Sequence, residues 1–252
     1  KAIISGLLAK EVVKPSMLSG SARTKETREA VQKKYGIAVY EENRQVAREA
    51  DILVLAVKPQ MMEAVIGEIR GDIKPDAVVV SIAAGKSLAW IENAFGKSIK
   101  LVRCMPNTPA MVMAGCSSVC RNERVTKEDM AFCMEMFESF GIAEEIPEKL
   151  MDAAGAVSGS SPAFVFMFLE ALADGGVKAG MPRAQAYRLA AQSVMGSAKL
   201  LLETGKHPGE LKDMVCSPGG TTIEGVQTLE EMGLRAGVMG AVEACVEKSK
   251  QL

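Results

Sequence analysis

Ile52-Leu53-Val54-Leu55-Ala56-Val57 is apolar at every position, and Ala77-Val78-Val79-Val80 repeats the pattern. Successive side chains of a strand point to opposite faces, so both faces of each run must be covered. Such runs belong to strands of a parallel sheet with helices packed on each side. Working outward, further short apolar runs predict strands over 15–20, 37–40, 100–105, 116–121 and 143–146. Helical patterns fall between them, over 24–35, 43–49, 59–70, 88–94 and 127–140. Alternation of this kind predicts right-handed crossovers and a doubly wound α/β sheet.

Local chemistry marks several helix starts. Thr126 precedes Lys127-Glu128-Asp129 in a capping pattern, Ser87 stands before the stretch holding Trp90, and Pro59 occupies a first-turn position. Beyond residue 147 strand-like runs stop. Helices are predicted over 162–179, capped by Ser161, and over 182–204, 208–215, 221–232 and 234–250. The expected division is an α/β domain over 1–147 and an all-α domain over 148–252. Phe164-Val165-Phe166-Met167-Phe168-Leu169 is apolar nearly all round, so its helix needs cover on more than one side. A partner subunit is one such cover and a tight intrachain core the other.

The chain has 252 residues, 48% of them hydrophobic and 24% charged, with a net charge of −1. That balance provides no field to recruit nucleic acid or an anionic membrane. No apolar run reads as long enough to span a bilayer, and a cytoplasmic protein is expected. The six cysteines form no C-x-x-C pair and have one histidine, His207, to join them, so free thiols and no metal site are expected. His207, before Pro208, reads as a loop or capping residue.

In a doubly wound sheet ligands sit beyond the carboxyl ends of the strands. Here those ends carry small and polar residues: Gly20-Ser21-Ala22-Arg23, Ala56-Val57-Lys58, Ala83-Ala84-Gly85 and Met105-Pro106-Asn107-Thr108. A dinucleotide fits that pattern. Ser21 and Arg23 stand where an NAD-selective protein commonly places an acid, and a hydroxyl with a guanidinium can hold a 2′-phosphate, which favours NADP. Arg23 as a solvated loop charge is the alternative. Lys1–Leu8 reads as the helix that follows a phosphate-binding turn, so a first strand and a G-x-G-x-x-G loop are expected upstream. Cys216-Ser217-Pro218-Gly219-Gly220-Thr221-Thr222 is a turn of small residues running into a helix, with Ser217 or Thr221 available as its cap. A helix start with free N–H groups attracts a carboxylate. The same spacing also suits a plain Gly-Gly loop before a surface helix.

The stretches AIISGLL (2–8), ADILVLAVKPQ (50–60), VVSIAAG (79–85), RCMPNTPA (103–110), AVSGSSPAFVF (156–166) and HPGELKDMVCSPGGTTIEGVQTLE (207–230) resemble the pyrroline-5-carboxylate reductases along the whole chain. The resemblance implies an N-terminal Rossmann-type sheet and a C-terminal helical dimerisation domain. It implies reduction of 1-pyrroline-5-carboxylate to L-proline with NADPH or NADH, by homodimers that assemble further into decamers. By position, Ser21 and Asn43 match contacts to the adenosine ribose or its 2′-phosphate. Ala56, Val57, Lys58 and Ala84 match strand ends against the cofactor, and Asn107 matches a position near the nicotinamide. Val215, Gly220 and Thr221 match the loop that holds the substrate carboxylate. Thr222 matches a threonine that hydrogen-bonds the ring nitrogen. Two other readings stay open: a silent dinucleotide-binding protein, and a reductase of a different small acid.

Overall fold

The computed structural model describes residues 1–251 and falls into two compact units, one of residues 1–160 with the chain from Cys245 onward, the other Ser161–Ala244. The first unit opens with α1 (Ala2–Ala9), β1 (Ser19–Ser21), α2 (Lys25–Tyr35), β2 (Ala38–Tyr40), α3 (Asn43–Glu49), β3 (Ile52–Leu55) and α4 (Met62–Ile69). It continues through β4 (Val78–Ser81), α5 (Leu88–Phe95), β5 (Lys100–Met105), β6 (Gly115–Arg121), α6 (Lys127–Glu138), β7 (Gly141–Glu145) and α7 (Met151–Ala154).

Strands β1 and β2 pair in parallel as a two-stranded sheet, and the other five form a sheet in the order β3-β4-β5-β6-β7. The runs that decide the class behave as their composition demands. Leu53, Leu55, Val79 and Leu101 pack on one face with Met62, Ile66, Ile91 and Phe95 from α4 and α5. Val78, Val80, Val102 and Cys104 pack on the other with Met130, Cys133 and Phe137 from α6 and Leu7 from α1. Each fully buried side chain of this size contributes about 1.5–3 kcal/mol, so both faces carry stabilising weight.

β3, β4 and β5 pair in parallel, and the sheet turns mixed at one place. β6 runs antiparallel to β5, while β7 returns parallel to β6 through α6. The link from Met105 to Gly115 holds only a short 3-10 turn, Thr108–Val112, and a parallel return needs a crossover of a dozen or more residues. The strand expected over 15–20 is also corrected. Pro15 opens a 3-10 turn, Pro15–Met17, and only Ser19–Ser21 extends, because proline fixes φ and lacks a donor for a ladder. The predicted caps form as read: Ser87 accepts the Trp90 N–H, and Thr126 and Asp129 make a reciprocal capping box.

The second unit holds α8 (Ser161–Lys178), α9 (Arg183–Thr204), α10 (Pro208–Val215), α11 (Thr221–Glu231) and the greater part of α12 (Leu234–Ser249). Ser161 caps nothing, because α7 and a π-helical turn over Gly155–Ser160 lead straight into α8. That continuity corrects the membrane reading as well. Glu148–Lys178 is one helical run that is long and apolar enough to cross a membrane by length and composition, and 11% of its most apolar window is buried. The end of α12 groups with the first unit, where the Ser249 hydroxyl donates to Asp152 at 2.8 Å. Arg103, buried on β5, pairs with Glu148 at 3.3 Å, and Glu148 also accepts the Leu88 N–H at 2.7 Å.

All six cysteines are free thiols, with Cys104, Cys120 and Cys133 buried. Burial pushes the Cys120 and Cys133 thiols up to about 11, so both stay protonated and unreactive at neutral pH.

Candidate functional site

The carboxyl ends of β3, β4 and β5 are neighbours in one parallel set, which brings Ala56, Val57 and Lys58 alongside Ala84 and Asn107 at the same edge. Ala56 and Lys58 are exposed there, and Val57, Ala84 and Asn107 are half-buried. Lys58 precedes a 3-10 turn, Pro59–Met61, that leads into α4. This is the edge where a doubly wound sheet receives its ligand.

The Asn107 amide is held by its own chain. Its Oδ1 accepts the Cys116 N–H at 2.9 Å and its Nδ2 donates to the Ser158 carbonyl at 3.0 Å. One side chain thus ties the end of β5 to the start of β6 and to the π-helical turn, a geometry common near functional sites. Asn107→Ala leaves two backbone groups without partners, at a cost of about 1–3 kcal/mol. The expected result is a fall in Tm of roughly 5 °C, measured by differential scanning calorimetry, with no change in the far-UV circular dichroism at 20 °C or so.

At the carboxyl ends of β1 and β2 the structure brings Ser21, Arg23 and Asn43 together. Ser21 Oγ donates to Asn43 Oδ1 at 2.7 Å. Arg23 and Asn43 line a cleft of about 480 Å³ with Glu41, Glu42, Val65 and Glu68. Residue-by-residue reading missed Glu68, whose carboxylate accepts the Asn43 Nδ2–H at 2.9 Å. Nothing local in the sequence distinguishes Glu68 from Glu63, the other acid of α4. Arg28 closes the rim, donating to the carbonyls of Ala22 and Arg23 and to Glu41.

In the second unit, Val215, Gly220, Thr221 and Thr222 share one loop and helix start. α10 ends at Val215, Gly219 turns the chain at φ +66°, and the Gly220 N–H donates back to the Ser217 carbonyl at 3.0 Å. A Cβ at Gly220 would lie 2.5 Å from Ser217 Oγ and 3.1 Å from the Ser217 carbonyl, so a side chain there must displace the serine hydroxyl. Neither Ser217 nor Thr221 caps α11, contrary to expectation. The N-cap is Gly220, and no side chain accepts from the first turn, which leaves its amides free for an anion. Thr221 and Thr222 are exposed. His207 does cap α10, its Nδ1 accepting the Gly209 N–H at 3.1 Å.

Residues 148–252 match the family described as pyrroline-5-carboxylate reductase dimerisation, and residues 1–85 match the family described as NADP oxidoreductase, coenzyme F420-dependent. The pyrroline-5-carboxylate reductase of Escherichia coli strain K12 is 52% identical over 252 residues, 100% of this chain and 94% of that protein. A solved pyrroline-5-carboxylate reductase from Coxiella burnetii superposes with a TM-score of 0.93 at 32% identity, covering 99% of this chain and 93% of that one. The pyrroline carboxylate reductase of Plasmodium falciparum, solved with NADP bound, superposes at 0.89 with 35% identity over 99% of this chain and 92% of that one. With its sheet, helical second half and glycine-capped loop accounted for, this chain belongs to the pyrroline-5-carboxylate reductase family.

Proposed function

We propose that the protein reduces 1-pyrroline-5-carboxylate to L-proline with NADPH, NADH serving as the second donor. The observation that carries this reading is the glycine-capped N-terminus of α11, whose free amides suit the carboxylate of a small imino acid. The strand-end edge of the first unit supports a dinucleotide: Ala56, Val57 and Ala84 there are small or half-buried, so a ring can approach the backbone. When bound, the nicotinamide supplies a hydride to the imine carbon, turning C=N into a C–N single bond. The ring nitrogen accepts that hydride best when already protonated, so no strong enzymic acid is required.

In this reading Val215, Gly220 and Thr221 hold the carboxylate, and Thr222 orients the ring nitrogen through its hydroxyl. Ser21, Arg23 and Asn43 hold the adenosine ribose. Ala56, Val57, Lys58 and Ala84 form the floor under the cofactor, and Asn107 shapes the loop near its reactive ring. The functional division is 1–147 for the cofactor and 148–252 for substrate and assembly.

The match of 148–252 to a dimerisation family supports a homo-oligomer. Phe166 and Met167 are 63% and 70% exposed in the single chain, and a partner subunit covers such a surface more simply than a bilayer does. We assign the long apolar run of α8 to that contact, and the protein to the cytoplasm, with no membrane or nucleic-acid partner. Sedimentation velocity is expected to give a dimer or a decamer and no monomer. A monomeric species at micromolar concentration would remove the assignment of α8.

The activity is tested by following NADPH oxidation at 340 nm with the native protein and 1-pyrroline-5-carboxylate. Cofactor binding without turnover identifies a silent nucleotide-binding protein. Turnover confined to another small acid identifies a different reductase on the same scaffold.

A further inference from the structure

Glu68 sits at the end of a hydrogen-bond relay whose polarity it dictates. A carboxylate only accepts, so Asn43 must present its Nδ2 to Glu68, at 2.9 Å. The Asn43 oxygen then faces Ser21 and takes its hydroxyl hydrogen, at 2.7 Å. The Ser21 donor is therefore spent inside the protein, and only its lone pairs remain for a ligand. The cleft beside Asn43 adds the carboxylates of Glu41, Glu42 and Glu68, against Arg23 as the one cation among its lining residues. Glu41 is partly balanced by Arg28, 2.8 Å away; Glu42 and Glu68 have no basic partner within the cleft.

A site rich in acceptors suits a group that donates. A free ribose hydroxyl is such a group. A 2′-phosphate needs donors and meets Glu42 and Glu68 as like charges, with Arg23 as its chief attraction. We propose that Glu68 is a specificity-determining residue: through Asn43 and Ser21 it holds the ribose site in its hydroxyl-accepting state and restrains the preference for NADPH over NADH. The inference rests on the proposed placement of the adenosine ribose at Ser21, Arg23 and Asn43.

Glu68→Gln keeps the shape of the side chain but removes the charge and lets the relay reverse. A glutamine can donate to the Asn43 oxygen, turning its amide nitrogen toward Ser21, whose hydroxyl then points outward as a donor. The experiment uses the full chain with two fragment probes, 2′,5′-ADP and 5′-AMP, in isothermal titration calorimetry. Glu68→Gln is expected to tighten 2′,5′-ADP by about fivefold to tenfold and to leave 5′-AMP within about twofold, the scale of one charge interaction near a surface. The ratio of kcat/KM for NADPH to that for NADH should rise by a similar factor. Glu68→Ala should move the 2′,5′-ADP affinity in the same direction, and circular dichroism confirms that both variants fold.

Equal changes for both probes, or none, overturn the inference, as does a wild-type chain that binds neither probe. The two readings fail separately. Probe affinities that shift as expected without any turnover of 1-pyrroline-5-carboxylate sink the proposed reaction and leave Glu68 its role. Turnover with an unmoved probe ratio does the reverse.

Discussion

Replacing Thr222 by alanine is expected to lower kcat/KM for 1-pyrroline-5-carboxylate by roughly 100-fold or more, while the Kd for NADPH stays within about twofold. The physical basis is local. Thr222 lies in the first turn of α11, is exposed, and is followed by Ile223 and Glu224 in a helix that needs no side-chain cap to form. Its hydroxyl makes no hydrogen bond to another described residue, so alanine removes nothing that the fold uses. What it removes is a small, neutral donor and acceptor beside an imino acid's nitrogen. Thr222→Ser should restore most of the rate, because the hydroxyl returns and only a methyl is lost. Stopped-flow turnover alongside fluorescence titration of NADPH measures both quantities. A Thr222→Ala enzyme with the native rate would remove the residue from its assigned role.

Gly220→Ala should act on substrate affinity more than on turnover. The new Cβ would meet Ser217 Oγ at 2.5 Å and the Ser217 carbonyl at 3.1 Å. The serine hydroxyl can rotate away, but the carbonyl is fixed, since it accepts the Gly220 N–H that closes the turn. The turn must give by a few tenths of an ångström, and the amides of Thr221 and Thr222 shift with it. KM for the imino acid is expected to rise by about threefold to tenfold, with NADPH affinity unchanged, the cost of weakening one amide hydrogen bond to a bound carboxylate. Thermal unfolding serves as the control: Tm should drop by only a few degrees for a clash in an exposed loop. An unaltered KM would show that the carboxylate is held elsewhere. Together the two variants separate the amide seat from the hydroxyl, since one changes binding and the other changes rate.

Much of the first unit was legible in residue patterns. Apolar runs facing both ways located β3 and β4, and capping residues placed the starts of α5 and α6. These are short-range effects, settled within a few residues of chain. The turn 216–222 was legible as a glycine-bearing helix start for the same reason, although its cap is Gly220 rather than a hydroxyl. The direction of β6 was not legible in its apolar periodicity, which reports burial and not strand polarity; the length of the Met105–Gly115 link carries that information. The span of Glu148–Lys178 was misread because Gly159 and Pro162 look like breaks, while a π-helical turn over Gly155–Ser160 holds the first and the opening turn of α8 accommodates the second.

By itself the sequence determined the α/β-then-α order, the covered strands, the caps at Ser87 and Thr126 and the glycine-bearing turn. Each depends on side chains only a few positions apart, where backbone propensity, capping and hydrophobic periodicity act directly. Only the tertiary structure decided that Asn107 holds Cys116 and Ser158, and that Glu68 reaches Asn43 and through it Ser21. Those partners stand 51 and 25 positions apart at their most distant links. A hydrogen bond across such a span leaves no periodic trace, because it arises from how helices and strand ends pack, and packing is a property of the whole folded unit.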